Sequence, residues 1–582
     1  MESNRYRTHT CGELCLDNIG EKVILSGWVE TIRDHGGVLF LDLRDMYGVT
    51  QIVSNDDAMF AHISKESVVK IEGTLRKRDE ETINSNLSTG EVEVLADSLE
   101  ILSRAKSDLP FEIQSSKNVS EDLRLKYRYL DLRNRDMLEN VLFRTKVIDF
   151  FREKMKSLGF NEIQTPILTA SSPEGAREFI VPARKHKGKF YVLPQAPQIF
   201  KQLLMVGGID RYFQIAPCFR DEDARRDRLY GEFYQLDFEM AFATQEDVFE
   251  VGEEILYEVM SKFSDKIVSP RPFKRISYRE AMTKYGSDKP DLRNPLSIDD
   301  VSDIFANTEF KPFQKSTVRA IKAEGIADKS NSWFNEVVDF ASSIGMPGIG
   351  YLSLLEDGTF KGPIDKFLSE EDRENLISRL SMKPNDVVFF IANRNERHAA
   401  KFAGEIRTYL GEKLELIDEN RIELCIVNDM PFYEYDEENK SIEFGHNPFS
   451  MPQGGMDSLI NKEPLDILAY QYDFVANGVE ISSGAVRNHD TNIMKKAFEI
   501  AGYDEEIVKS KFPALYKAFE FGAPPHAGMA PGIDRILMIL KDEDNIRNLV
   551  AFPMNAQGED LLMGSPNDVS ETQLREAHIK LR

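Results

Sequence analysis

The segment Glu232-Phe233-Tyr234-Gln235-Leu236-Asp237-Phe238-Glu239 alternates apolar and polar side chains. That is the two-residue period of a strand with two unlike faces. Upstream stands Phe219-Arg220-Asp221-Glu222-Asp223, and the chain between the two is densely charged. Strand, charged loop and returning strand make a hairpin that holds something anionic. An arginine among three acids suits a nucleotide, because the guanidinium clamps a phosphate while the acids steer an amine or a metal.

Two further segments complete the pattern. Gly528-Met529-Ala530-Pro531-Gly532-Ile533-Asp534-Arg535 leads into the apolar run Ile536–Leu540, which reads as a helix. Its glycines permit close backbone approach, the helix start favours anions, and Arg535 adds a fixed positive charge. Residues 139–158 carry Leu142, Val147, Ile148, Phe151 and Met155 at helical spacing and stop at Gly159. A strand broken at Pro166 follows.

Long helix with broken strand, arginine hairpin and glycine-led helix resemble, in order, the three motifs of class II aminoacyl-tRNA synthetases. Ser172–Arg177, Leu193–Lys201, Phe219–Asp223, Tyr472–Glu480 and Pro524–Gly528 are similar to the bacterial-type aspartyl enzymes of that class. The resemblance spans almost the whole chain. It implies an α+β multidomain fold: an N-terminal OB-fold β-barrel, an antiparallel-sheet catalytic domain and an inserted α+β domain.

The 582 residues exceed what one core serves, and about three or four domains are expected. Apolar content of 41% and charged content of 29% fit a globular protein in water. No apolar run is long enough to cross a bilayer, and the first residues lack an apolar signal core, so a cytoplasmic protein with no membrane partner is expected. The net charge of -25 does not exclude RNA, which needs only a local basic track. Arg124, Lys126, Arg128, Arg133 and Arg135 form one such stretch, and Arg184, Lys185, Lys187 and Lys189 another; each is either an RNA track or solvated surface charge. Of Cys11, Cys15, Cys218 and Cys425 only the first two are near each other, and no histidine cluster completes a site, so no zinc is expected.

Residues 1–108 read as a small β domain, 109–135 as a hinge and 136–287 as the first part of the catalytic domain. An insertion takes 288–415, the catalytic domain resumes over 416–560, and 561–582 form a tail. In Val38–Arg44, Leu39, Leu41 and Leu43 share one face and Phe40 the other, with Asp42. An aromatic on a polar strand face either stacks a base or packs under a loop. The resemblance implies base contact: Arg33, His35, Phe40 and Gln51 would meet the anticodon.

The resemblance likewise implies the site. Arg220, Glu222 and Arg535 would carry catalysis. Asp221, Phe233, Glu480, Gly532, Ile533 and Asp534 would bind ATP with them, Phe233 stacking on adenine. Asp473 and Glu480 would hold Mg2+, although seven residues apart on one regular strand they face opposite sides, so a bend or bulge is required. Arg487 and Lys201 would pair the β-carboxylate of L-aspartate. Gln198, Gln235 and Asp237 would orient its ammonium, Glu174 would close over it, and His446 would lie nearby. The implied activity is an ATP-dependent aspartyl-tRNA ligase charging tRNA(Asp). A histidine at His35 resembles the relaxed form that also charges tRNA(Asn) for a downstream amidotransferase, or is simply an exposed loop residue. The alternatives are an enzyme confined to tRNA(Asp) and an inactive tRNA-binding paralogue. A homodimer is expected, with Pro166 at its interface.

Overall fold

Strands Lys22–Asp34, Leu39–Arg44, Val49–Ser54, Val92–Ser103 and Val68–Lys77 close in that order into a barrel. Only the Val49–Ser54 and Val92–Ser103 pairing is parallel. This is the five-stranded connectivity of an OB-fold. Leu39, Leu41 and Leu43 point inward with Val23, Leu25 and Val29, whereas Phe40 and Asp42 remain partly exposed. The computed structural model describes residues 3–34, 38–56, 58–60, 62–172 and 176–581. Its chain divides into one unit ending at Glu139, which contains the barrel, and one beginning at Asn140.

Of the basic stretch 124–135, Lys126 and Arg135 are exposed, but Arg124, Arg128 and Arg133 are turned to internal partners. Asp131 is fully buried and accepts from Arg124 Nε at 3.2 Å and Arg128 Nη1 at 2.6 Å, and Arg133 pairs with Glu66 at 2.9 Å. Charges withdrawn from water must be paired, so sequence proximity here signals an internal ion cluster.

In the second unit an eight-stranded sheet runs Lys274–Ser277, Leu424–Pro431, Leu468–Ala476, Val479–Val486, His526–Pro531, Gly231–Ala241, Arg211–Arg220, Asn161–Glu162. Its inner pairings are antiparallel and only the two outermost are parallel. Helices Arg135–Ser157, Gln245–Phe263 and Ile533–Lys541 contribute apolar residues to one continuous core beneath it. Residues 298–393 build a separate antiparallel sheet of five strands with a core on each face. Ile321, Val387 and Phe389 face helices Asn331–Ser343 and Glu396–Lys413, while Ala320, Val388 and Phe390 share the other core with helix Glu370–Leu380. Strands buried on both faces read as unbroken apolar runs, as Val387–Ile391 does.

Candidate active site

The alternation of 231–241 sorts its side chains into two jobs. Leu236, Phe238 and Met240 enter the core. Gln235, Asp237 and Glu239 therefore point to the opposite face, where Asp237 and Glu239 are nonetheless fully buried. Two buried carboxylates need cations. Lys201, from helix Gln198–Val206, places Nζ 2.6 Å from Asp237 Oδ1 and 3.4 Å from Glu239 Oε2. Arg487, just past the end of strand Val479–Val486, donates from Nε and Nη2 to Glu239 at 2.8 and 3.2 Å. That edge of the guanidinium is spent on Glu239. Nη2 also reaches Gly528 O at 3.4 Å, so Nη1, on the other edge, is the donor left without a hydrogen bond among the described residues. Burial raises the Glu239 carboxyl and Arg487 with Lys201 more than reverses it, so Glu239 lies below its usual range. Asp237 lies above its own, because burial outweighs Lys201. Among the described residues its Oδ2 has no hydrogen bond of ordinary geometry; the Tyr212 hydroxyl beside it, which helps hold the carboxyl down, donates to Gln214 Oε1 at 3.2 Å.

Lys201, Asp237 and Arg487, with Glu239 behind them, line a cavity of about 590 Å³ that also meets Gln198, Gln235, His446, Gln471 and Ser483. A second cavity, about 300 Å³, is lined by Phe233, Arg228, Ser482, Gly532 and Arg535. Arg220, Glu222, Lys289 and Glu480 border both. Arg220 ends strand Arg211–Arg220 opposite Gly231, its guanidinium 5.0 Å over the Phe233 ring. Its Nε is buried with no hydrogen-bond partner among the described residues. An unpaired buried guanidinium donor is costly, and a ligand anion offsets that cost.

Asp473 and Glu480 occupy two strands rather than one. Asn477 (φ 51°) and Gly478 (φ 80°) turn the chain between Leu468–Ala476 and Val479–Val486. Two left-handed residues make the tight turn of a hairpin. A register shift then pairs Val475 with Glu480 but Phe474 with Ser482, leaving Ile481 extra. The bulge changes the phase of the strand, so Glu480 and Ser483 share the face of Asp473. Burial, then the charge of Glu480, pushes the Asp473 carboxyl well above the usual carboxylate range. Two carboxylates held together against their own repulsion, with a phosphate-sized cavity beside them, fit a hard divalent cation that takes its remaining ligands from phosphate and water.

Several expected ligands are engaged otherwise. Asp534 is buried, pairs with Arg144 and accepts from Tyr234 N at 3.2 Å. Ile533 lies in the apolar core, so any contribution to a ligand is from its backbone. Asp221 accepts from the Tyr230 hydroxyl at 2.8 Å and lines neither cavity. Glu222 is paired with Arg228 across the hairpin loop, and Arg535 Nη1 donates to Glu480 O at 2.8 Å. A Cβ on Gly532 would meet only Ile481 O, at 3.8 Å, so that backbone faces open space. Glu174 lies outside the described residues.

On the barrel Arg33, Phe40 and Gln51 come together across three adjacent strands. Phe40 pairs with Arg33, while Arg33 Nη2 donates to Asp42 at 2.8 Å and to Gln51 at 3.3 Å. Gln51 is nearly buried and donates to Glu93 at 2.7 Å, so less of it is presented than the strand pattern implies. His35 lies outside the described residues.

Sequence reasoning missed Glu239 and Lys289. Glu239 has the parity of Gln235 and Asp237, which is the signal that places it in the site. Lys289, in Gly286-Ser287-Asp288-Lys289-Pro290, has no periodic pattern around it.

Comparisons with known proteins identify the family. Residues 120–556 match the family described as tRNA synthetases class II (D, K and N), and residues 23–102 match the OB-fold nucleic acid binding domain. Aspartate--tRNA(Asp/Asn) ligase of Ehrlichia ruminantium (strain Welgevonden) is 54% identical, over 98% of each chain. Its counterpart in Rickettsia bellii (strain OSU 85-389) is 52% identical over 99% of this chain and 98% of its own. Among solved structures, a putative aspartyl-tRNA synthetase from Leishmania major Friedlin covers 95% of each chain with TM-score 0.59 at 19% identity. Asparaginyl-tRNA synthetase from Pyrococcus horikoshii, complexed with asparaginyl-adenylate, covers 92% of this chain and 95% of its own with TM-score 0.54, also at 19%. These distant structures establish the shared fold, and the sequence matches establish kinship: the chain belongs to the class II tRNA synthetases of the D, K and N group.

Proposed function

We propose that this enzyme activates L-aspartate with ATP, giving aspartyl-adenylate and pyrophosphate, and transfers the aspartyl group to the terminal ribose hydroxyl of tRNA(Asp) and of tRNA(Asn). The observation that carries the amino-acid choice is Arg487, fixed by buried Glu239 and by Gly528 O at the wall of the larger cavity, with Nη1 left to meet a carboxylate. Asparagine in that place gives Arg487 a neutral amide where aspartate gives it a charge-assisted partner, and its NH2 donors meet a donor-only guanidinium, the kind of mismatch that gives rejection. The names of the relatives support charging of both tRNAs.

The first step needs no protein nucleophile, because the aspartate α-carboxylate attacks the α-phosphorus itself. What the chain supplies is alignment and charge. Arg220, at the junction of the two cavities, meets both the α-phosphate and the attacking carboxylate. Phe233 stacks on adenine, and Arg535 holds the far end of the triphosphate. Asp237 and Gln235 take the substrate ammonium, with Gln198 behind them; His446 borders the amino-acid cavity. Asp473 and Glu480 would hold Mg2+, which when bound would supply positive charge to the phosphates. Arg33, Phe40 and Gln51 read the anticodon, with His35 permitting either final base. The molecule acts in the cytoplasm as a homodimer, and an amidotransferase consumes its Asp-tRNA(Asn).

The test is charging of tRNA(Asp) and tRNA(Asn) transcripts with labelled aspartate, ATP and magnesium. Both are expected to accept aspartate. Charging of tRNA(Asp) alone overturns the relaxed specificity, and charging of neither overturns the activity.

A further inference from the structure

Lys289 stands where the two cavities meet. Its Nζ lies 3.2 Å from Glu480 Oε2 and 3.4 Å from Asp288 Oδ2. A lysine is a compact charge on a flexible stem, able to exchange one anionic partner for another without moving the backbone. Its side chain is 38% exposed, so it is not locked by packing.

The backbone beneath it is fixed, and by the sheet domain built from 298–393 and helix Glu396–Lys413. Gly286 (φ +67°) packs so closely on that helix that a Cβ would lie 2.4 Å from Ala400 O and 2.5 Å from Gly404 Cα. From the same helix Arg407 donates to Asp291 O at 3.0 Å, Asn294 O at 2.7 Å and Leu296 O at 2.6 Å. On its other side the loop meets the Asn477-Gly478 turn, where a Cβ on Gly478 would lie 3.1 Å from Asp291 Cβ. The loop is therefore clamped between the inserted domain and the hairpin that carries Asp473 and Glu480.

We propose that Lys289 is a phosphate-binding residue of the nucleotide site, delivered by the inserted domain, which neutralises the Asp473–Glu480 pair while nucleotide is absent and transfers to the phosphates when nucleotide and cation enter together. This rests on the reading of the two cavities as a nucleotide and amino-acid site. Without ligand, Glu480 has a cation already beside it, so a free divalent ion gains little by displacing it. With nucleotide present, the phosphates offer Lys289 a second anion and release the carboxylates to the metal. Metal entry is thus coupled to nucleotide entry, by exchange of ion pairs and with no covalent step.

Lys289→Met removes the charge and keeps the stem; Lys289→Arg restores a cation. Two measurements distinguish the roles: Mn2+ binding to nucleotide-free enzyme by electron paramagnetic resonance, and ATP binding in magnesium by equilibrium dialysis. In Lys289→Met, nucleotide-free Mn2+ binding tightens and ATP binding weakens, each by roughly tenfold or more, the worth of a charge-assisted hydrogen bond. Lys289→Arg restores ATP binding to within about threefold of the parent. A Lys289→Met enzyme that matches the parent in both measurements overturns the proposal, as does one in which Mn2+ binding weakens together with ATP binding. A parent enzyme that binds no ATP at all instead overturns the reading of the site itself.

Discussion

At the scale of single residues, the cavity proposed for the amino acid is an exercise in balancing buried charge. Lys201, Arg487, Asp237 and Glu239 are all nearly or wholly inaccessible to water, and the two cations equal the two anions. A substrate that brings one ammonium and two carboxylates adds a net negative charge, which Arg220 sits ready to meet. Arg487→Lys keeps the charge but not the fork, since lysine cannot serve Glu239 and a ligand carboxylate bidentately at once. Removing one member of such a buried pair typically costs about 2–5 kcal/mol. The expected result is a KM for aspartate in ATP–pyrophosphate exchange raised by roughly thirtyfold or more, with KM for ATP little changed; unchanged aspartate dependence would remove Arg487 from the specificity pocket. His526 is the titrating neighbour. Its Nδ1 donates to Pro524 O at 2.8 Å and its Nε2 meets the Gln202 side chain at 3.0 Å. Burial lowers its pKa below 6.5, with Arg487 and His489 adding to the effect and Glu239 and Pro524 O opposing it. The sign follows: the unfolded chain takes up the proton first, so the stability that neutral His526 contributes is complete above 6.5 and is lost as pH falls through the depressed folded value. Thermal unfolding of the parent should therefore lose more stability between about pH 8 and pH 5 than that of His526→Asn, which keeps a donor near Pro524 O without the titration. Parallel pH profiles for the two proteins would assign the acid sensitivity elsewhere.

At the scale of elements, the site is a product of strand parity, and parity is what the sequence displays most openly. The alternation of 232–239 marks which residues enter the core and which face the ligand, because a strand has only two faces. The Asp473 and Glu480 hairpin was less legible for a local reason. Asn477-Gly478 is a turn signature, but apolar residues continue on both sides of it and disguise the reversal as one long strand. The bulge at Ile481, which restores the shared face, has no sequence mark of its own; it arises from pairing to the neighbouring strands. The loop of Lys289 is harder still, since its place beside Glu480 depends on a clamp formed by residues more than a hundred positions away, at Ala400, Gly404 and Arg407. One strand glycine has a sharp consequence. A Cβ on Gly528 would lie 2.1 Å from Phe238 O and 2.4 Å from Glu239 Oε2, so the strand can approach the hairpin only because this side chain is missing. Gly528→Ala should lower stability by about 1–3 kcal/mol through overpacking, seen as a reduced midpoint in calorimetry. It should also weaken aspartate activation, because the displaced carboxylate is the one that orients Arg487. A variant of full stability and normal aspartate KM would show that Glu239 has room to move and does not set the guanidinium.

At the scale of the whole molecule, the OB-fold barrel and the large antiparallel sheet have cores that are built separately. The barrel buries its own apolar residues from Leu14 to Val94, and the large antiparallel sheet buries another set with its helices. A change on the barrel surface is therefore expected to leave the proposed adenylate site intact, so that activation and charging respond differently to it. Phe40 is the residue on which to separate them. It is partly exposed on a polar strand face, opposite Arg33, while Gln51 is turned inward toward Glu93. If Phe40 supplies the stacking surface, replacing it by alanine removes about 1–3 kcal/mol of base stacking. That predicts a fall of roughly five- to a hundredfold in kcat/KM for tRNA at constant ionic strength. ATP–pyrophosphate exchange with aspartate should stay within about twofold of the parent. The same loss is expected with tRNA(Asp) and tRNA(Asn), because a stacking platform is indifferent to the base it carries and both anticodons present one. A loss confined to one of the two tRNAs would instead make Phe40 a discriminating contact. A loss of exchange activity would show that the barrel and the catalytic sheet are energetically linked, despite their separate cores.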